Sequence, residues 1–169
     1  MKRLIVTLLF FTFPASLVAG SQWWDSGSGG DYFEEGPKWK EAEVVIPDYP
    51  KMGNLLEFQV DNPSSSHHYF LDSSSLSIAD DYVIRYSVVI KTRSGATNVF
   101  YDGIRCETRE YKNYAFGVNG AFTENEGAKW ELIRSYDFFR KALIRGIVCR
   151  QDSGAYSVEQ IIDRLKYDR

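Results

Sequence analysis

The chain has 169 residues, a formal net charge of −3, 44% hydrophobic residues, 15% aromatics and 25% charged residues. That is the size of one domain with a core of its own. The aromatic and apolar content excludes a disordered chain, a collagen-like repeat and a coiled coil as the main architecture.

Lys2 and Arg3 open the chain, an apolar run from Leu4 to Val18 follows, and Ala19, Gly20 and Ser21 are small. This is the pattern of a cleavable secretory signal. The run is short for a bilayer span, and Pro14 interrupts it near its end, so cleavage near Gly20/Ser21 is expected over an uncleaved anchor. Removing residues 1–20 with their two cations leaves 149 residues and a net charge of −5. An acidic exported domain without a basic block is a poor partner for nucleic acid or anionic membrane. No later segment has the length and apolarity to span a membrane.

Export changes how the cysteines are read. Cys106 and Cys149 are the only two, and in an oxidising compartment a disulfide between them is expected. Closing that loop is worth about 4 kcal/mol in the chain-entropy model. A catalytic thiol or a zinc site is the rival reading; the first would be at risk of oxidation, and the second lacks histidines at ligand spacing.

Residues 21–36 combine Gly/Ser stretches with acids and aromatics and read as a flexible leader; Trp23 and Trp24 are either part of it or a docking element. One domain is expected over residues 37–169. From Trp39 to Pro50 the chain becomes apolar, and Pro47 and Pro50 hold Ile46 and Tyr49 extended on the way into a sheet. Leu55 to Val60 reads as a strand. Between Tyr82 and Lys91, the positions Tyr82, Ile84, Tyr86, Val88 and Ile90 are apolar on one parity, which predicts a half-buried strand.

The segment Arg93 to Ala96 is a turn, and a second strand returns from Thr97 to Thr108. With Thr92 opposite Thr97, Ile90 faces Val99 and Val88 faces Tyr101. The apolar parity then switches, so a bulge at Asp102 and Gly103 is expected, with Cys106 pointing inward. A shorter strand is expected near Tyr114 to Phe116. Phe138, Phe139, Ala142 and Leu143 have helical spacing, Gly146 can end that helix, and Ile147 to Cys149 reads as a short extended piece. Ser157 and Gln160 form a capping box for an amphipathic helix through Val158, Ile161, Ile162 and Leu165. The expected class is α+β: a twisted antiparallel sheet with a long hairpin and C-terminal helices packed on it.

Chemical motifs are sparse. His67 and His68 are the only histidines; adjacent residues on a strand point to opposite faces, so as metal ligands they are weak candidates, and no metal or cofactor is expected. Ser64 to Ser66 and Ser73 to Ser75, with His68 and Asp72, have the residue types of a serine hydrolase but no Gly-x-Ser-x-Gly elbow, and serine runs read more readily as loops. Glu34 with Glu35 and Asp80 with Asp81 are neighbouring carboxylates in leader and turn positions. No catalytic residue is assigned. Arg85, Arg105, Glu107 and Arg109 would share the outer face of the hairpin with Phe100 and Trp130 nearby, and arginine with aromatics is the make-up of a binding surface. Its rival is a solvated sheet face held by cross-strand ion pairs.

The stretch beginning Trp39, Lys40 and Glu41 and running through Pro47 and Pro50, then Val83 to Tyr86, Gly95 to Val99, Tyr101 to Cys106, Tyr114 to Gly117, Trp130 and Cys149, resembles the cryptic neisserial protein-like family. The resemblance covers roughly residues 39–150, with its most specific part in Gly103, Ile104, Arg105 and Cys106. Asp102 stands where the family pattern suggests glutamate. The resemblance implies an exported protein of the Gram-negative periplasm and supplies no catalytic residue, substrate or cofactor. The expectation is a non-enzymatic binding or interaction domain for a cell-envelope component or protein. A hydrolase of an envelope polymer and a structural or stress protein of the envelope are the alternatives.

Overall fold

The computed structural model describes residues 38–62 and 66–167. The expected signal at residues 1–20, the expected leader with Trp23, Trp24, Glu34 and Glu35, and Ser64 and Ser65 lie outside the described residues. A short 3₁₀ turn, Met52–Asn54, leads into seven strands: β1 (Leu55–Phe58), β2 (His68–Ile78), β3 (Ile84–Lys91), β4 (Thr97–Arg105), β5 (Glu110–Val118), β6 (Ala121–Glu124) and β7 (Glu131–Leu132). Every pairing is antiparallel. β1 to β6 follow one another across an open sheet, and β7 pairs with the start of β5. Helix α1 (Phe138–Ala142), a wider turn at Leu143–Ile147 and helix α2 (Val158–Tyr167) complete an α+β domain. Among the described residues, no helix is long and apolar enough to cross a membrane.

The sheet is covered on both sides, and this decides how β3 reads. Ile84, Tyr86, Val88 and Ile90 pack with Leu71, Ile104, Leu143, Val148, Ile161 and Leu165 under the helices. The other parity, Val83, Arg85, Ser87 and Val89, is buried as well. β3 is therefore a central strand covered on two faces, not the half-buried strand its alternation predicts. Tyr82 does not join it: with φ 59° it sits in the preceding turn and is 76% exposed.

The cover on the second face is the segment 39–50, a strap without regular structure. Val44 and Ile46 pack on Tyr101, Tyr114 and Ala115. Tyr49 packs on Phe122, and a side chain on Gly117 would place a Cβ 2.6 Å from Val99 and 2.9 Å from Tyr49, so the bare glycine lets strap and sheet approach.

The β3–β4 hairpin forms one residue out of the expected register. Lys91 pairs with Thr97, Val89 with Val99, and the ladder runs unbroken to Ile84 opposite Ile104. No bulge is needed at Asp102 and Gly103, because Asp102 is itself an inward residue. It takes its place among the apolar positions through an ion pair with Arg140 at 2.8 Å. The irregularity lies on the other side of β4, where Tyr101 opposes Ala115 and Asp102 opposes Asn113, leaving Tyr114 as the extra residue of β5.

The serine run is also not a loop. Ser73, Ser74 and Ser75 lie within β2, where the pairing with β3 shifts between Asp72 and Ser77. Asp72 Oδ1 accepts from Ser74 N and Oγ, and Ser75 Oγ accepts from the backbone N–H of Ser87, so short hydroxyl side chains replace the missing ladder bonds.

Most C-terminal elements follow their sequence signals, but Ile147 closes the Leu143–Ile147 turn and Val148 is still helical (φ −105°, ψ −28°), so of the extended piece expected at Ile147 to Cys149 only the Cys149–Ala155 bridge forms. Ser157 Oγ accepts from Gln160 N at 3.3 Å while Gln160 Oε1 accepts from Ser157 N at 3.0 Å, which is the reciprocal capping box. Ile161 and Leu165 of α2 are buried against the sheet, each worth roughly 1.5–3 kcal/mol. Gly146, at φ 122°, reverses the chain after α1.

Candidate functional site: a basic cavity beside the disulfide

Cys106 and Cys149 are joined, with an S–S distance of 2.06 Å and both cysteines buried. The bridge ties the end of β4 to the segment that follows the Leu143–Ile147 turn. Around it a cavity of about 730 Å³ opens, walled by Arg109 from the β4–β5 turn, by Ile133 to Ser135 after β7, by Lys141 of α1, by Ile144 to Gly146, by the 149–153 segment, and by Tyr156 and Arg164. Six of the lining side chains are basic: Arg109, Arg134, Lys141, Arg145, Arg150 and Arg164. Among the described residues, none that lines the cavity is acidic.

Local bonds set these walls. The backbone N–H of Ile133 donates to the carbonyl of Arg109, holding the segment after β7 against the β4–β5 turn. Arg109 itself has φ 54°, so its backbone turns sharply there. Arg164 Nε donates to the carbonyl of Gly146 at 2.5 Å, and its guanidinium lies 4.3 Å from the Tyr156 ring centroid. Lys141 Nζ donates to the carbonyl of Ser135 at 2.9 Å. Arg150 pairs with Asp152 at 2.8 Å on the exposed rim. Arg109, Arg134 and Arg145 are exposed and have no ion-pair partner among the described residues. An arginine without a carboxylate keeps its five donors for an incoming anion.

The surface read from sequence does not form as one face. Arg85 is 4% exposed; both its terminal nitrogens donate to Asp81, at 3.1 and 2.6 Å, under the strap. Burial pushes the Asp81 carboxyl up, but hydrogen bonds from Arg85 and from the backbone N–H groups of Ala42 and Val83 outweigh it and hold the group below its ordinary value. Phe100 lies on the opposite face, where it meets Phe116 and stacks with Phe139, because the shifted register gives it the parity of Ile104. Glu107 is exposed in the β4–β5 turn, and Arg109 faces the cavity.

Arg105 and Trp130 do meet. The guanidinium lies 3.8 Å from the Trp39 ring centroid and 5.7 Å from that of Trp130, and pairs with Glu110 at 3.1 Å. Trp39 also donates its indole N–H to the carbonyl of Asp81, so this stack fastens the start of the strap. Glu41, two residues on, accepts from Tyr114 Oη at 2.6 Å and Lys112 Nζ at 2.9 Å. Burial pushes the Glu41 carboxyl up, and those two donors bring it below its ordinary value.

The residues named for a hydrolase are separated. His68 is exposed and its Nδ1 lies 2.8 Å from Glu57 Oε1, whereas Asp72 is buried and spent on the β2 serines. Four residues of strand separate them by about 13 Å, too far for a hydrogen bond. His67 precedes β2 and lies against the Tyr69 ring, 6.2 Å between centroids.

Sequence reasoning found Cys106, Cys149 and Arg109 of this cavity and missed Arg134, Lys141, Arg145, Arg150 and Arg164. A signal was present: between residues 134 and 150 there are five basic residues and one acid, Asp137, in an otherwise acidic chain. That stretch was read for its helical spacing alone. The fifth cation, Arg140, turns away to pair with Asp102 and Asp137.

The chain belongs to the CNP1-like family, whose model matches residues 34–166. No curated protein and no solved structure matches it.

Proposed function

For this member of the CNP1-like family, we propose an exported, periplasmic binding domain without catalytic activity whose ligand is an anionic component of the cell envelope. The first twenty residues and the disulfide support the compartment, since bridges of this kind persist where proteins are oxidised. The resemblance to exported cryptic neisserial protein-like sequences belongs with the same reading. The cavity carries the activity: six basic side chains and no acid line one concave site in a chain of net negative charge. Gathering like charges costs free energy, and with Arg109, Arg134 and Arg145 in no ion pair among the described residues the site favours an anion.

The experiment is calorimetric titration of the disulfide-bonded protein with a set of small anions at low and high salt. Saturable binding that weakens as salt screens the charges is the expected result. Silence toward all of them would remove the binding reading. Export is checked separately: fractionated cells should yield a shortened protein in the periplasm, with no thiol reactive under denaturing, non-reducing conditions.

A further inference from the structure

We infer that the ligand of the basic cavity is a compact anion carrying at least two phosphoryl groups, either free or displayed on a lipid headgroup. This rests on the reading of the cavity as an anion site and specifies its chemistry.

Five of the six lining cations are arginines. A guanidinium offers a planar fork of donors that matches phosphoryl or carboxylate oxygens two at a time, whereas lysine acts as a point charge. Charge decides between the two anions. A carboxylate brings a single negative charge and two acceptor oxygens, enough for one or two forks. The rest of the cluster would stay uncompensated, with Arg109, Arg134 and Arg145 having no ion-pair partner among the described residues. Each phosphoryl monoester brings a charge of about −1.5 to −2 and three strong acceptor oxygens. Two such groups bring about −3 to −4, enough to balance Arg109, Arg134 and Arg145, which have no ion-pair partner among the described residues.

Size and wall chemistry agree. At about 730 Å³ the cavity has the volume of sites that take small ligands. Ile133, Ile144 and Tyr156 add an apolar wall, suited to the carbon skeleton that joins phosphoryl groups in a headgroup. A nucleic acid fits less well, because tracking a polyphosphate backbone takes a basic stripe along the surface, and the chain as a whole is acidic.

The test titrates the disulfide-bonded protein with inorganic tripolyphosphate, citrate, a short single-stranded DNA, and phosphatidylcholine vesicles with and without geranylgeranyl diphosphate, whose headgroup carries two phosphoryl groups. Tripolyphosphate is expected to bind at least tenfold more tightly than citrate. The double variant Arg134→Ala/Arg145→Ala should lose at least tenfold of that affinity with its Tm retained, while Lys51→Ala, outside the cavity, should bind as the parent does. Should the double alanine variant fail to fold, Arg134→Lys/Arg145→Lys keeps the charge and removes the forks, and a several-fold loss is expected. Binding to the diphosphate-bearing vesicles identifies a headgroup source, and binding of free tripolyphosphate alone identifies a soluble one; both support the inference. Citrate binding as tightly as tripolyphosphate overturns the phosphoryl assignment while leaving an anion site in place. DNA binding more tightly than either overturns the compact ligand, and unchanged affinity in both double variants overturns the site. If nothing binds, the anion reading itself fails.

Discussion

Two groups of arginines in this protein share a side chain and little else. Under the strap, Arg85 is locked to Asp81 and Arg105 is held against Trp39 and paired with Glu110. At the disulfide, Arg109, Arg134 and Arg145 are exposed around a cavity with no acid in its lining. The first group has been spent on holding a segment to a sheet; the second leaves its donors available. What an arginine does here is set by whether the fold brings a carboxylate or a ring beside it.

The comparison can be broken most severely at the bridge that supports the cavity. Cys106→Ala/Cys149→Ala is expected to cost about 4 kcal/mol in urea unfolding, from a loop closed across a sequence separation of 43, and to weaken anion binding as the cavity wall around Cys149 loosens. An equal stability of the two proteins would show that the bridge does not constrain the fold. Next comes the strap: Asp81→Ala leaves the buried Arg85 guanidinium without its partner and should cost about 3 kcal/mol. Trp39→Ala removes the face on which Arg105 lies and should cost about 1 kcal/mol, read as a lower thermal midpoint. At the small end, Arg145→Ala should change stability by less than about 0.5 kcal/mol, because it removes an exposed group without a partner. A large loss there would place Arg145 with the structural arginines and erase the distinction.

Acid should separate the two regions in the same way. Asp81 and Glu41 have carboxyls held below their ordinary values in the folded protein. A depressed folded pKa stabilises above the unfolded pKa, and that contribution is lost as pH falls through the folded one. The urea midpoint should therefore fall as pH drops through the carboxylate range, and Asp81→Asn should flatten part of that fall. No carboxylate among the described residues lines the cavity, so binding of a strong-acid anion there should persist to lower pH than the strap's hold. A midpoint independent of pH would show that neither carboxylate contributes.

Much of the fold could be read from local pattern. The capping box at Ser157, the helical spacing from Phe138, the strand at Leu55 and the alternation of β3 all sit in short stretches with one dominant period. The hairpin of β5 and β6 was just as readable and was overlooked: Asn119 and Gly120, both at positive φ, form the two-residue turn between Val118 and Ala121. The register of β3 and β4 failed for a different reason. Asp102 reads as polar and outward, so the apolar alternation seemed to switch parity, yet its partner Arg140 lies 38 residues away. Arg85 failed likewise, since the strap that buries it comes from residues far earlier in the chain.

By itself the sequence determined the class of the domain, its helix start at Ser157 and the identity of the only two cysteines that could pair. Those properties depend on residue type and on neighbours within a few positions, where period, capping and composition act. Only the tertiary structure decided which charges are neutralised. Coulomb attraction depends on distance in space, and the fold brings Asp81 to Arg85 and Asp102 to Arg140. It also gathers Arg109, Arg134, Lys141, Arg145, Arg150 and Arg164, spread over 56 positions, around one cavity.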